Sequence, residues 1–361
     1  MKKIVSKLRK KQPEEPAGRI TTDTLAEHRE KVLAGGRKFK YPVQYQRHKL
    51  VINALVIGAV AVVLLVALGW YLLYVTKNTS EFMYRVTKVV PAPVAIVDGE
   101  QVPYSDYLMK YRGAAHYLIE KEQIDAKSSD GKSQLDYVKG QALDDAIADA
   151  YARKLASSLD VSVSNADVEA ALMAQRQLSD GDYTEATQTT VLMDYYGWTI
   201  DEYREIMHDK LLRQKVAYAV DAPAEDIAKK IEDQVKAGNT DLRGISDSLN
   251  ATAKDTVTYN PPEWVPKNNQ DGGLAIAAAK LSKGQISTKI KRTSGDGYYY
   301  VKLVDSNDAN VQYEYIHVPL KEFDAKLAKI EKDNKLIRFI KLEEQDQTTG
   351  QSTDPAASQS N

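Results

Sequence analysis

The sequence predicts a mostly α-helical protein with a small α+β domain, preceded by one transmembrane helix. Three observations lead to this fold class. Residues 50–75 form one long apolar run. Apolar residues then recur at three- and four-residue steps through the middle of the chain, and they alternate with polar ones towards its C-terminal end. These three patterns are typical of a membrane span, of amphipathic helices and of strands, respectively.

The apolar run reads LVINALVIGAVAVVLLVALGWYLLYV, with Lys49 and Lys77 on its two sides and Asn53 as its one strongly polar residue. As a helix its 26 residues extend about 39 Å, which is enough to cross a bilayer with some tilt. A signal peptide would begin at the N-terminus, be shorter and end in a cleavage site. A buried core helix rarely runs so far without charge. We therefore predict a single transmembrane helix at 50–75.

The charge distribution predicts the orientation of this span. Residues 1–49 carry 14 Lys and Arg against 5 Asp and Glu, whereas the whole chain has a net charge of −1. Basic flanks stay in the cytoplasm, and aromatic side chains such as Trp70, Tyr71 and Tyr74 favour the interface at the other end. We expect a single-pass cell-membrane protein with a cytoplasmic N-terminus and an extracytoplasmic C-terminal domain.

The segments that flank the span are interpreted as accessory. The basic cluster in residues 1–49 fits anionic lipid better than nucleic acid, because the span lies so close. One short helix is expected near 24–33, with loose chain around it, since Pro13, Pro16 and a Gly-Gly pair interrupt the segment. Residues 76–93 are expected to be a connector. The chain has no cysteine, which excludes disulfides, thiolate metal sites and a cysteine nucleophile.

Residues 94–220 are predicted to form a helical module that opens with a short strand pair around Asp98-Gly99. Helical starts are indicated by two capping boxes, Ser164 to Asp167 and Thr199 to Glu202. Residues 138–155 add an apolar stripe of helical period.

Residues 221–343 are predicted to form the α+β domain. It begins at Asp221-Ala222-Pro223, and residues 250–271 resemble a loop because they include Asn260-Pro261-Pro262. Strands are expected near 286–290, 298–304 and 311–318, followed by a last amphipathic helix with Phe323. Residues 344–361 are rich in Gln, Ser and Thr, and we expect them to be disordered.

No catalytic constellation is recognisable in the sequence. The five histidines are scattered, and no pair has metal-ligand spacing. Asp144-Asp145 and Glu343-Glu344 are typical of solvated surfaces. We expect no metal and no cofactor.

The order of elements resembles the SurA/PrsA-type extracytoplasmic foldases, in which a helical chaperone module is followed by a parvulin-type prolyl isomerase domain. Residues 94–100, VAIVDGE, are similar to the family's opening "VA-VNG" strand, and YGWT at 196–199 is similar to the end of its helical module. LSKGQIS at 281–287 resembles the parvulin "L-x-x-G-x-x-S", and GYYYVKL at 297–303 resembles "G-Y-H-I-I-K-hydrophobic".

Two departures from the parvulin pattern bear on function. Tyr299 stands where the family has a histidine. The family's opening "H-I-L-V" strand is missing before residue 224, and a similar strand, Tyr315-Ile316-His317-Val318, follows the isomerase-like motifs instead, with Tyr315 in the histidine position. His317 is expected on the same side as Tyr313 and Tyr315. The resemblance thus implies a domain that binds chain with weak or absent isomerisation.

The resemblance implies a membrane-anchored chaperone whose partners are unfolded or exported polypeptides and the lipid bilayer, but not nucleic acid. The alternatives are an active prolyl cis-trans isomerase and a structural or adhesion ectodomain, so enzymatic activity stays open. Aromatic side chains suit partners of variable sequence, although aromatics at helical spacing are more often core. The candidate peptide-binding residues are Tyr107, Tyr111, Tyr195, Tyr196, Trp198, Tyr299 and His317.

Overall fold

The computed structural model describes residues 21–178, 181–251, 256–292 and 294–342, with no account of the side chains at 35–47. The predicted disordered tail at 344–361 and the first 20 residues lie outside the described residues. The chain divides into two compact units, Met1–Leu72 and Leu73–Asn361.

The first unit contains one long helix, α1, at Thr22–Trp70. The prediction of a short helix at 24–33 followed by loose chain is wrong, because the helix continues through Gly35 and Gly36 into the apolar segment. A helical glycine costs only about 1 kcal/mol relative to alanine, so it weakens a helix without ending it. Among the described residues, one helix, at His48–Val75, is long and apolar enough to cross a membrane. Its last residues, Tyr71–Val75, form a π-helical turn.

The predicted connector contains a helix that the sequence analysis missed. This helix, α2, covers Glu81–Val89, and Ser80 caps its N-terminus by accepting a hydrogen bond from the Met83 amide. Its inner side is buried, with Met83, Tyr84 and Thr87 each at most 3% exposed. The opposite side remains open to solvent.

The helical module follows the predicted order. Two short strands, β1 (Pro93–Val97) and β2 (Glu100–Pro103), pair antiparallel around the turn at Asp98-Gly99. The remaining elements are α3 (Tyr104–His116), α4 (Ser129–Leu159), α5 (Asn165–Arg176), the short strands β3 (Gln177–Leu178) and β4 (Gly181–Asp182), α6 (Glu185–Tyr196) and α7 (Ile200–Val220). Both predicted capping boxes are confirmed, at Ser164 and Thr199.

Ion pairs connect the three long helices of this module. Asp149 of α4 is only 2% exposed, and its carboxylate lies 2.6 Å from Lys110 Nζ of α3 and 3.3 Å from Arg213 of α7. Arg153 of α4 bridges Asp106 of α3 and Asp209 of α7 at 2.6 and 2.7 Å. Buried charges of this kind are tolerated only when they are paired, so each pair fixes how the helices pack.

The C-terminal α+β unit contains a four-stranded antiparallel sheet in the order β5-β8-β7-β6. Side chains alternate between its two faces. Tyr298 and Tyr300 pack on one face with residues from α8 and α9, while Tyr299 and Tyr313 pack on the other with residues from α10. The elements are α8 (Ala222–Lys236), α9 (Leu242–Asn250), β5 (Thr258–Pro266), α10 (Leu274–Ala278), β6 (Ile290–Lys291), β7 (Gly297–Ser306) and β8 (Asn310–Pro319).

The loop predicted for 250–271 is wrong over β5, which forms an edge strand of the sheet. Its register with β8 shifts between Asn260 and Glu263, so Pro261 and Pro262 lie at the irregularity. An edge strand tolerates prolines there because it needs hydrogen bonds on one side only. Proline was therefore misleading as a loop signal.

The last two elements return to the helical module. Helix α11 (Glu322–Lys332) contacts α7, and its Phe323 ring lies 5.5 Å from the ring of Tyr151 in α4. Strand β9 (Leu336–Arg338) then pairs antiparallel with β1 and completes a three-stranded sheet. The sequence ranges 94–220 and 221–343 thus divide elements that contact each other in the structure.

Asp221 lies where the chain leaves the helical module, and its carboxylate also contacts the place where the chain returns. The side chain, 2% exposed, accepts a hydrogen bond from the Ala224 amide at 2.9 Å and so caps α8. Its other oxygen accepts from the amides of Lys321 and Glu322, at 2.6 and 3.0 Å, at the start of α11. One carboxylate therefore accepts hydrogen bonds from three backbone amides, one where the chain leaves the helical module and two where it returns.

Replacement of Asp221 tests this double role. Asp221→Ala leaves three N–H groups without their acceptor and is expected to lower the free energy of unfolding by about 2–4 kcal/mol. Asp241 is a matched control, because it caps only α9 through the Gly244 amide; Asp241→Ala should cost about 1 kcal/mol. Denaturant unfolding of the full chain in detergent measures both. Equal losses for the two variants would contradict the double role.

Candidate functional site

An aromatic row covers one part of the helical module. We give this name to Tyr117, Tyr195, Tyr196, Trp198 and Tyr203. Tyr117 stacks on Tyr195 and Tyr196 with ring centroids 6.4 and 6.1 Å apart. Trp198 lies between Tyr196 and Tyr203, at 4.8 and 6.1 Å. All five side chains are half-buried, so each ring combines contact with the core and contact with solvent.

Local backbone features place the row. Gly197 adopts φ +65° at the end of α6, a conformation that suits glycine, and the chain turns there between Tyr196 and Trp198. The indole of Trp198 lies against Gly113 of α3, where an added Cβ would approach the ring to 2.1 Å. Its Nε1 donates a hydrogen bond to the Met109 carbonyl oxygen at 3.1 Å. The row is thus fixed on α3 by close packing and by one hydrogen bond.

Exposed apolar side chains adjoin the row in sequence. Met193, two residues before Tyr195, is 48% exposed, and Ile119, two residues after Tyr117, is 39% exposed. The Lys121 ammonium lies 4.5 Å from the centre of the Tyr195 ring and forms an ion pair with Asp194 at 2.5 Å. Rings, a thioether and a cation together can accommodate varied apolar and aromatic side chains.

Two of the predicted peptide-binding residues lie in the core instead. Tyr107 is 0% exposed and Tyr111 is 7% exposed. Tyr107 packs edge-on against Tyr104 at 5.5 Å, while Tyr111 stacks on Tyr107 at 6.3 Å. Their helical spacing marked the buried side of α3, so neither ring is accessible to a partner in this structure.

A second cluster lies on the α10 face of the four-stranded sheet. Tyr299 of β7 and His317 of β8 are register partners, and their rings stack with centroids 4.3 Å apart. Tyr315, the residue in the other histidine position of the parvulin pattern, lies 5.8 Å from Tyr299. The expected alternation is observed, because Tyr313, Tyr315 and His317 occupy the same face of β8 as Val311.

The Tyr299 hydroxyl is engaged by its neighbours. It donates to Asp296 at 2.7 Å and accepts from Arg292 at 3.1 Å, and the residue is 2% exposed. Burial, with the Asp296 hydrogen bond, raises the pKa of Tyr299, so the phenol stays neutral. Burial also lowers the pKa of His317, which favours its neutral imidazole. The cluster provides neutral aromatic rings rather than an ionised base.

A shallow cleft adjoins this cluster. It has a volume of about 290 Å³ and lies between β5 and β8. Proline rings and tyrosines give it apolar walls, and Glu263 lies at its side. The lining residues are Asn260, Pro261, Pro262, Glu263, Val265, Tyr313 and Tyr315.

Sequence reasoning missed part of both clusters. Tyr117 and Tyr203 join the row through contacts between rings, and only the tandem Tyr195-Tyr196 with Trp198 stood out in the sequence. On the sheet, Arg292 and Asp296 contact the Tyr299 hydroxyl from the segment between β6 and β7, and neither was among the predicted site residues. Among the described residues, no group of three or more His, Asp and Glu could bind a metal ion.

Residues 44–217 match the family model of the SurA-like N-terminal domain. The match covers the end of α1 and the module as far as the last turn of α7, which agrees with the strand pair, the capping boxes and the packed helices described above. The predicted SurA/PrsA-type resemblance is confirmed for this part of the chain. No curated protein matches the chain. The parvulin resemblance of the C-terminal unit stays a prediction.

The position of Trp198 can be tested through Gly113. Gly113→Ala places a methyl group in the volume of the indole and is expected to move the ring, lowering both the near-UV circular dichroism signal and the melting temperature. Gly140 of α4 has no atom within 4 Å of its added Cβ. Gly140→Ala should instead stabilise the helix by up to about 1 kcal/mol. Unchanged spectra for Gly113→Ala would show that the packing is loose.

Proposed function

We propose that this protein is a membrane-anchored, extracytoplasmic chaperone that binds unfolded or exported polypeptides. The aromatic row is the observation that carries the proposal, because its half-buried rings and the exposed Met193 and Ile119 offer apolar contact on a SurA-like N-terminal domain. Tyrosine and tryptophan provide large contact areas at low entropic cost and still accept polar neighbours. Such a surface suits partners without a fixed sequence.

The orientation of the protein is part of this proposal. The basic segment before the span would stay in the cytoplasm, and the domain after Leu73 would lie outside it. A tethered chaperone meets exported chains at the membrane, where the tether raises its local concentration.

Suppression of aggregation tests the chaperone proposal. The full chain in detergent should slow the aggregation of an unfolded test protein at equimolar ratio or below. The paired variant Ile119→Asp with Met193→Asp should lose most of this effect, because two charges beside the row oppose the binding of apolar chain. Both positions are exposed, so the fold should remain intact.

A matched control carries the same charges on the C-terminal unit. Trp264 and Ile276 are 47% and 49% exposed, and Trp264→Asp with Ile276→Asp should leave the suppression unchanged. Loss of suppression in the control alone would assign the activity to the C-terminal unit. A folded chain that never slows aggregation would favour the structural or adhesion role.

We further propose that the unit from α8 to β8 is parvulin-like but isomerises poorly. Support comes from the sheet register, because Tyr299 and Tyr315, the residues in the two histidine positions, come together on neighbouring strands. The Tyr299 hydroxyl already bonds to Asp296 and Arg292, so it is not free to act on a substrate amide.

A protease-coupled assay on a proline-containing peptide tests the enzyme alternative. Uncatalysed prolyl bonds isomerise over about 10–100 s at 25 °C, and we expect the full chain to leave this rate nearly unchanged. A large acceleration that disappears in Tyr299→Phe but persists in Tyr137→Phe would establish the isomerase instead. Tyr137 is a suitable control because it is 40% exposed and belongs to α4.

A further inference from the structure

The end of the apolar segment is packed into the domain that follows it. Leu73 is 6% exposed, and its carbonyl oxygen accepts a hydrogen bond from the Tyr104 hydroxyl at 2.9 Å. The Tyr74 hydroxyl donates to the Pro93 carbonyl oxygen at 2.8 Å, and its ring meets those of Tyr104 and Phe339 edge-on at 6.0 and 6.2 Å. No flexible linker therefore separates this domain from the residues at which the candidate span ends.

Both ends of helix α2 are linked by short chain segments to the neighbourhood of Tyr74 and Val75. Five residues separate Val75 from Glu81, and an extended chain of that length reaches at most about 17 Å. Beyond the other end, Pro93 follows Val90 by three residues and accepts the Tyr74 hydrogen bond. The helix itself is about 13 Å long. The chain therefore keeps α2 near Val75, the last residue of the candidate span.

The outer side of α2 is strongly apolar. Phe82, Val89 and Val90 are 69%, 81% and 60% exposed, and they are the most exposed large apolar side chains of the described residues after Leu73. Positions 82 and 89 differ by seven residues and so share one side of the helix. Arg85, whose side chain is 76% exposed, lies between them on that side.

We propose that this outer side of α2 rests on the membrane, with Phe82, Val89 and Val90 inserted at the boundary between headgroups and acyl chains. A short helix with one apolar side lies in the interface plane in this way, and Arg85 can extend its guanidinium to lipid phosphates. The bilayer is favoured over a polypeptide as the occupant because the chain itself keeps α2 beside the span. The contact fixes one side of the domain against the lipid surface.

The absence of cysteine from the sequence allows a direct test. Single-cysteine variants Phe82→Cys and Val89→Cys of the full chain are labelled with an environment-sensitive fluorophore and reconstituted into phosphatidylcholine vesicles. Both labels should emit at shorter wavelength than in detergent-free buffer controls and be quenched several-fold more by lipids brominated on the acyl chain than a label at Ile276→Cys. Ile276 is a matched site, because it is 49% exposed and far along the chain from α2.

A second variant separates insertion from simple proximity. Phe82→Asp with Val89→Asp should leave the melting temperature unchanged, because both side chains are exposed, but it should abolish the lipid quenching of a label at Val90→Cys. Labels at 82 and 89 that behave like the one at 276 would overturn the proposal. So would quenching relieved by an added unfolded protein, since the surface would then bind polypeptide. Neither result depends on suppression of aggregation in detergent.

Discussion

The structure after Leu73 depends on one buried carboxylate at the point where the chain passes between its two cores. Asp221 accepts hydrogen bonds from amides on both crossings, at 224 and at 321 and 322. The elements between these crossings form the four-stranded sheet and its helices, whereas α11 and β9 complete the module that began with β1. In terms of contacts, the α+β unit therefore lies between two parts of the helical module, whose first sheet is completed by residues more than 100 positions after the end of α7.

Helix α3 connects the core of the module with its surface. Lys110 and Asp106 form ion pairs with Asp149 and Arg153 of α4, and Gly113, which lies on the same side of α3, accommodates the indole of Trp198. Removal of one partner from a buried pair is far more damaging than loss of an exposed pair. The placement of the aromatic row therefore depends on a helix whose packing is fixed by electrostatic contacts with α4.

The sequence predicted the elements that are determined by residues close together in the chain. The long apolar helix follows from composition, the helix starts at Ser164 and Thr199 follow from capping boxes, and the strand at Tyr298–Tyr300 follows from β-propensity. The edge strand at Pro261-Pro262 and the return of β9 to β1 could not be predicted in this way, because pairing with a distant strand determines them. Tyr107 and Tyr111 illustrate the same limit for the site, since periodicity identifies a side of a helix but not whether another helix covers it.

Tyrosine is the most frequent aromatic residue in this chain, with 22 residues against 4 phenylalanines. In the row, the Tyr117 hydroxyl donates to Glu122 and the Tyr203 hydroxyl donates to Gln175, so each ring has a fixed position although one of its sides faces solvent. On the sheet, a tyrosine stands where the parvulin pattern has a histidine. A free phenol is already neutral near pH 7, and burial raises the pKa of Tyr299 further. A histidine there would exchange protons in the physiological range. In the aromatic row, half-buried neutral phenols offer contact area that varies little with pH, which suits the proposed binding of chain.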